Sequence, residues 1–164
     1  MIKKYLKWIP GSLFIALFIL SIILVQIGMG RARQVLFFPM DNGKSTDAEI
    51  RLIPRIRDRE ERILETVKEL LLGPSELKLN NILPAGTKIR TVILREKTLY
   101  LDFSEHFIYD SRGMTLPYGE RIELLKRNLM FNYPFLDNIS ITVNGQIPDS
   151  SFYRIEHSFN NDNS

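Results

Sequence analysis

The chain contains no cysteine. That excludes disulfides, thiol nucleophiles, thiolate zinc sites and a lipid-modified cysteine at a processed N-terminus. Histidine is scarce: His106 and His157 are the only two in 164 residues, so a three-histidine metal centre is excluded as well. Acidic residues are missing from residues 1–30, and from Trp8 to Gly30 no residue carries a charge of either sign. Long runs of one charge are absent from the remainder. Removing Lys3, Lys4 and Lys7 from the 22 basic residues leaves as many as the 19 acidic ones. The formal +3 therefore belongs to the N-terminus, and the balanced remainder argues against a nucleic-acid partner. At 45% hydrophobic and 25% charged residues, the composition excludes disorder as the main state and any collagen-like architecture. The length suits roughly one domain.

The uncharged run is 23 residues long. As an α-helix it spans about 35 Å, enough to cross a hydrocarbon core of about 30 Å with some tilt. A lone segment in lipid must satisfy its own backbone, which only a helix does. Pro10 falls in the first turn, where its missing N–H costs little, and Trp8 suits the headgroup level. Three lysines before the span against Arg31 and Arg33 after it favour a cytoplasmic N-terminus. The rival reading is a cleaved signal peptide ending at Gly28-Met29-Gly30, but the apolar region exceeds the usual length. The expectation is a cytoplasmic stub and transmembrane anchor over 1–30, an extracytoplasmic domain over 31–148 and a polar tail over 149–164.

Beyond the anchor the spacing predicts the order β-β-α-β-β-α-β. Gln34 to Met40 forms a β-rich run ended by Pro39 and Asp41-Asn42-Gly43. Ser45 to Ala48 reads as loop, and Glu49 to Arg55 as a strand with Ile50, Leu52 and Pro54 on one side. Asp58, with Glu61 three residues on, caps a helix. Its apolar face carries Ile63, Leu64, Val67, Leu70 and Leu71, and Gly73-Pro74 stops it. Lys88 to Leu94 and Thr98 to Phe103 form a hairpin. The favoured register has a three-residue turn, Arg95-Glu96-Lys97, with Ile93 opposite Leu99, Ile89 opposite Phe103 and Arg90 opposite Asp102. A two-residue turn would pair Leu94 with Leu99 but set Arg90 beside Phe103. Ser104 to Leu116 reads as loop. A second helix runs from about Pro117 to Asn132 with Ile122, Leu125, Leu129 and Met130 as its buried stripe, and Pro134 ends it. Asn138 to Val143 is the last strand, followed by the turn signal Asn144-Gly145. The fold class is α+β: an N-terminal transmembrane helix and then a small two-layer α/β sandwich, two helices on one face of a mixed sheet.

Little in the sequence invites chemistry. Asp102, Glu105 and His106 crowd the end of the hairpin, and a carboxylate pair beside an imidazole can bind a metal or move protons. No nucleophile or oxyanion partner accompanies them, so a solvated strand end with Asp102 facing Arg90 is the better reading. Leu83-Pro84-Ala85-Gly86-Thr87 lacks the glycine and lysine spacing of a phosphate loop and suits a structural turn. The stretch Arg55 to Arg62 mixes signs and reads as a solvated helix start. Tyr100 belongs on the outer face, covering Val92 across the hairpin. No catalytic residue, cofactor ligand or metal ligand is assigned.

An ordered set of motifs resembles a known family. Val35-Leu36-Phe37-Phe38-Pro39, Leu70-Leu71-Leu72-Gly73-Pro74, Leu83-Pro84-Ala85-Gly86-Thr87-Lys88, Leu99-Tyr100-Leu101-Asp102-Phe103-Ser104-Glu105, Asn128-Leu129 and Ile141-Thr142-Val143-Asn144-Gly145 are similar in kind and order to the sporulation and spore germination, or GerMN, domain. The departures are a hairpin turn without glycine, a second helix that matches only from Asn128 on, and a single copy of the domain. The resemblance implies a ring-building-motif-like extracytoplasmic α/β domain that binds or scaffolds envelope proteins or associates with itself, with no known catalytic residues. An anchored enzyme or binding module acting on cell-wall material is the alternative.

Overall fold

The computed structural model describes residues 14–22, 30–109 and 113–148. Residues 14–22 are helical, with apolar side chains exposed. Among the described residues no helix is long and apolar enough to cross a membrane. Both ends of the expected anchor, residues 1–13 and 23–29, lie outside the described residues, as do His157 and the tail from 149.

The domain that follows is α+β. Strands β1 (Arg31–Pro39) and β2 (Thr46–Pro54) lead into helix α1 (Arg59–Leu72). Then come β3 (Ile89–Arg95), β4 (Thr98–Phe103), a one-turn helix α2 (His106–Tyr109), helix α3 (Tyr118–Asn132) and β5 (Asn138–Val143). The expected order is present, with two additions: β2 starts inside the stretch read as loop, and α2 interrupts the segment after β4. The strands also divide into two sheets. β1 and β2 pair antiparallel by themselves, while β3, β4 and β5 form a mixed sheet with β4 antiparallel to β3 and parallel to β5.

Local chemistry explains the helix ends. The Asp58 carboxylate accepts from the Glu61 N–H at 2.8 Å and so satisfies one orphan donor of α1. Glu60 and Glu61 add negative charge to that first turn. At the other end Gly73 has φ +80°, which favours glycine, and a Cβ there would have to displace the Asn81 side chain. Ile63, Val67 and Leu70 are fully buried, whereas Leu64 and Leu71 lie at the half-buried margin of the stripe. In α3, Ile122, Leu125 and Leu129 are buried as expected, but Met130 is 37% exposed and Asn128 takes a core position instead.

The β3–β4 hairpin departs from the expected register. Leu94 pairs with Leu99 and Arg95 with Thr98, so the turn is Glu96-Lys97, with Glu96 at φ +53°. A bulge between Ile89 and Thr91 then restores Ile89 opposite Phe103. Arg90 still reaches Asp102, Nε to Oδ2 at 3.1 Å. Both alternatives are thus partly realised, one at each end of the hairpin. Tyr100 does lie on the outer face, half-exposed, but opposite Ile93 and not Val92.

Leu36 and Phe38 from β1, Val67 and Leu70 from α1, Leu101 and Phe103 from β4, and Leu125 and Leu129 from α3 share one core. A buried polar knot joins β1, α1 and the end of α3. Thr66 Oγ1 donates to Gln34 Oε1 at 2.6 Å, and Gln34 Nε2 donates to the Tyr133 hydroxyl at 2.7 Å. That hydroxyl donates to the Arg62 carbonyl at 2.9 Å. Fully paired groups of this kind specify one packing, because any shift strands a buried donor or acceptor.

Candidate interaction surface

Among the described residues the β1–β2 hairpin has one covered edge and one open edge. On β1 the covering is done by side chains of α3. Asn128 accepts from the Phe37 N–H at 2.7 Å and donates to the Phe37 carbonyl at 3.0 Å. Asn132 does the same for Val35, at 3.1 and 2.7 Å. Two asparagines four apart on a helix are separated by a rise of about 6 Å. Two residues on a strand advance about 6.7 Å. The near match lets α3 act as a surrogate strand. Further along the same edge, the Asn80 N–H donates to the Pro39 carbonyl at 2.8 Å, and Met40 bridges Leu79.

The pairing of Val35 and Phe37 fixes the geometry of β2. Their backbone groups point away from β2, so those of Gln34, Leu36 and Phe38 point toward it. The partners Arg51, Glu49 and Asp47 complete the ladder. The N–H and C=O groups of Ala48, Ile50 and Leu52 therefore point outward. The Ala48 N–H is taken by its neighbour's Asp47 carboxylate at 2.8 Å. Among the described residues the outward groups of Ile50 and Leu52 have no partner.

The same residues expose their side chains. Ile50 and Leu52 do share a side, as their alternation implies, but that side faces solvent: they are 63% and 55% exposed, while Ile53 is the buried residue of β2. Val35 pairs with Ile50, and Phe37 with Ala48, on this outer face. Phe131 of α3 stacks edge-on against Phe37 at 5.0 Å, and the Arg127 guanidinium sits 4.6 Å above the Phe37 ring. The result is an exposed apolar surface beside an open strand edge, a combination that marks contact sites.

The inner side of β2 is ionic. Arg51 Nε lies 2.8 Å from Glu49 Oε1, and its guanidinium also meets Glu69 at 3.2 Å and the Gly73 carbonyl at 2.8 Å. Partial burial pushes the Glu49 carboxyl upward, but hydrogen bonds from Ser75 and the Arg51 charge outweigh it and hold it below the usual carboxylate range. Its contribution to stability is thus present above that range and is lost as pH falls through its depressed value. Asp47 is likewise held low by hydrogen bonding and attraction to Lys78.

The residues singled out from sequence lie elsewhere. Asp102 Oδ1 accepts from Thr142 Oγ1 and from the Gly145 N–H, both at 2.8 Å, so this carboxylate ties β4 to β5 and its turn. Glu105 and His106 are exposed at the start of α2. Among the described residues no three histidine, aspartate or glutamate side chains come together as a metal site. Leu83 to Thr87 is a turn closed by the Thr87 N–H on the Pro84 carbonyl at 3.2 Å, and Gly86, at φ +83°, packs beside His106. Within Arg55 to Arg62, Arg62 binds the Ile56 and Arg57 carbonyls and Arg59 covers the Phe135 ring. A depression of about 640 Å³ between α1 and β3 is lined by mixed charges, among them Glu60, Glu61, Lys68, Lys88 and Arg90. Sequence reasoning missed the hairpin face and its Asn128/Asn132 support. The signal was present: two asparagines at i, i+4 inside an amphipathic helix, one on the buried stripe.

The family described as Germane, sporulation and spore germination, matches residues 35–148. No curated protein matches the chain. Among solved structures, the tandem GerMN domains of the sporulation protein GerM from Bacillus subtilis are similar at 16% identity and a TM-score of 0.51. That match covers 73% of this chain and 41% of the tandem protein, so the chain spans about two fifths of it. A putative lipoprotein from Clostridium perfringens is similar at 20% identity and a TM-score of 0.48, over 74% of this chain and 80% of that one. At such identities the first likeness speaks for the fold alone.

Proposed function

The chain belongs to the Germane family of sporulation and spore germination domains, and on that premise we propose that it is a membrane-anchored extracytoplasmic protein that works by contact, binding or scaffolding other envelope proteins without catalysis. The observation that carries this reading is the outer hairpin face, where Ile50 and Leu52 are exposed beside half-buried Val35 and Phe37, next to an open strand edge. Structural duties of Asp102 support it too, since a carboxylate committed to Thr142, Gly145 and Arg90 is poorly placed to serve as a general base. The uncharged run from Trp8 to Gly30, with three lysines before it, supports a single-pass anchor with the domain outside.

Fractionation of cells producing the full chain tests the anchor. Alkaline carbonate is expected to leave the protein in the membrane pellet. Protease added after the outer layers are opened is expected to digest the domain and spare the N-terminus. Recovery of a soluble mature chain beginning near Arg31 would overturn the anchor and favour a cleaved signal peptide.

A further inference from the structure

The open edge of β2 is complementary to itself, and we infer that two copies of this chain pair through it, antiparallel and two-fold, centred on Ile50. This deepens the contact reading above and rests on it. Outward-pointing groups on β2 belong to Ala48, Ile50 and Leu52, and an antiparallel ladder requires such groups to face each other. Centring on Ile50 sets Ile50 opposite its counterpart and Ala48 opposite the second copy's Leu52. Three residue pairs then exchange six backbone hydrogen bonds.

The residues between them decide the register. With Ile50 at the centre, Glu49 faces Arg51 of the second copy, and Arg51 faces its Glu49. Centring on Glu49 or on Arg51 would instead bring like charges directly opposite each other. Centring on Ala48 would put Asp47 opposite Glu49, again two negative charges. Centring on Leu52 would place Ile50 against Pro54, which has no N–H to give. Opposite charges across a strand pair stabilise, and like charges destabilise. One register therefore suits both faces: apolar pairs of Ile50, Ala48 and Leu52 outside, and opposite charges facing inside, where Glu49 and Arg51 keep the partners of their own chain.

The devices that usually guard an edge are confined here to Pro54 at the end of β2 and to the inward charges Asp47, Glu49 and Arg51. No proline, lysine or bulge interrupts residues 46 to 53, and the inward charges Glu49 and Arg51 neutralise each other. β1, by contrast, is sealed by Asn128, Asn132 and Asn80. A two-stranded ribbon gains most from extension, and the pairing would join two hairpins into one four-stranded sheet. To pair, the Ala48 N–H must be released from Asp47.

The absence of cysteine makes the register directly readable. Single variants Ala48→Cys, Ile50→Cys and Leu52→Cys would be made in the full chain, purified in detergent micelles and oxidised, after circular dichroism shows unchanged melting. Directly paired residues sit about 5.5 Å apart at Cα, within disulfide reach. Two copies of residue 48, or of residue 52, would be displaced by about 14 Å, beyond it. The expected result is a covalent dimer of Ile50→Cys alone, none of Ala48→Cys or Leu52→Cys alone, and a dimer when those two are mixed. Failure of Ile50→Cys to crosslink, or equal crosslinking of all three alone, overturns the self-pairing. A negative crosslink together with loss of function on charging the hairpin face would remove the second copy as partner and leave the contact reading standing.

Discussion

Asn128→Ala is expected to cost about 2–6 kcal/mol, although it removes only one polar side chain from a helix. Each backbone polar group stranded away from water costs about 1–3 kcal/mol, and Asn128 holds two, the Phe37 N–H and carbonyl. Its own burial is complete, so water cannot readily take its place. Asn132→Ala strands the equivalent pair on Val35 at a more exposed position and is expected to cost less. Urea denaturation of a fragment beginning at residue 31 reads both. Equal and negligible losses would mean that α3 does not seal β1.

Leu70→Ala is expected to cost a further 2–5 kcal/mol, roughly the range for emptying a buried leucine site. Leu70 is fully buried in the shared core, two residues from Leu72, which is 75% exposed. Leu72→Ala should therefore stay within about 0.5 kcal/mol of the parent. The contrast checks the orientation of α1 around its axis. Similar effects at both positions would show the helix face to be misassigned.

What is readable from sequence is mostly local. Asp58 with Glu61, Gly73-Pro74 and Asn144-Gly145 mark element ends because each acts within a few residues on the backbone that it terminates. The apolar periods of α1 and α3 identify Ile63, Val67, Leu70, Leu125 and Leu129 correctly. The family resemblance, too, agrees with the match over residues 35–148. Errors arise where a distant neighbour decides. Alternation in β2 separates Ile50 and Leu52 from Ile53, but only packing against the rest of the domain selects Ile53 for burial. The β3–β4 register depends on a bulge at Arg90, which lets Leu94 meet Leu99 without moving Ile89 from Phe103. Division into two sheets is hidden as well, because α3 supplies β1 with side-chain partners in place of a third strand. The exposed hairpin face stays out of view for the same reason: its open edge is defined by what seals the other one.

Complementation of a strain deleted for this chain tests the central claim, that the protein acts by contact from a membrane tether. Three variants are compared at equal abundance, each checked for folding. The triple change Asp102→Asn, Glu105→Gln and His106→Asn alters the one polar cluster that suggests catalysis. Loss of a general base there would lower a rate by about 10²–10⁴-fold, yet function is expected to persist. The pair Ile50→Lys and Leu52→Lys charges the exposed hairpin face and is expected to abolish function. Deleting residues 1–30 is expected to abolish it too, because the tether sets the effective concentration at which partners meet. Retained function in the charged-hairpin and anchorless variants, with loss in the folded triple variant, would contradict the account.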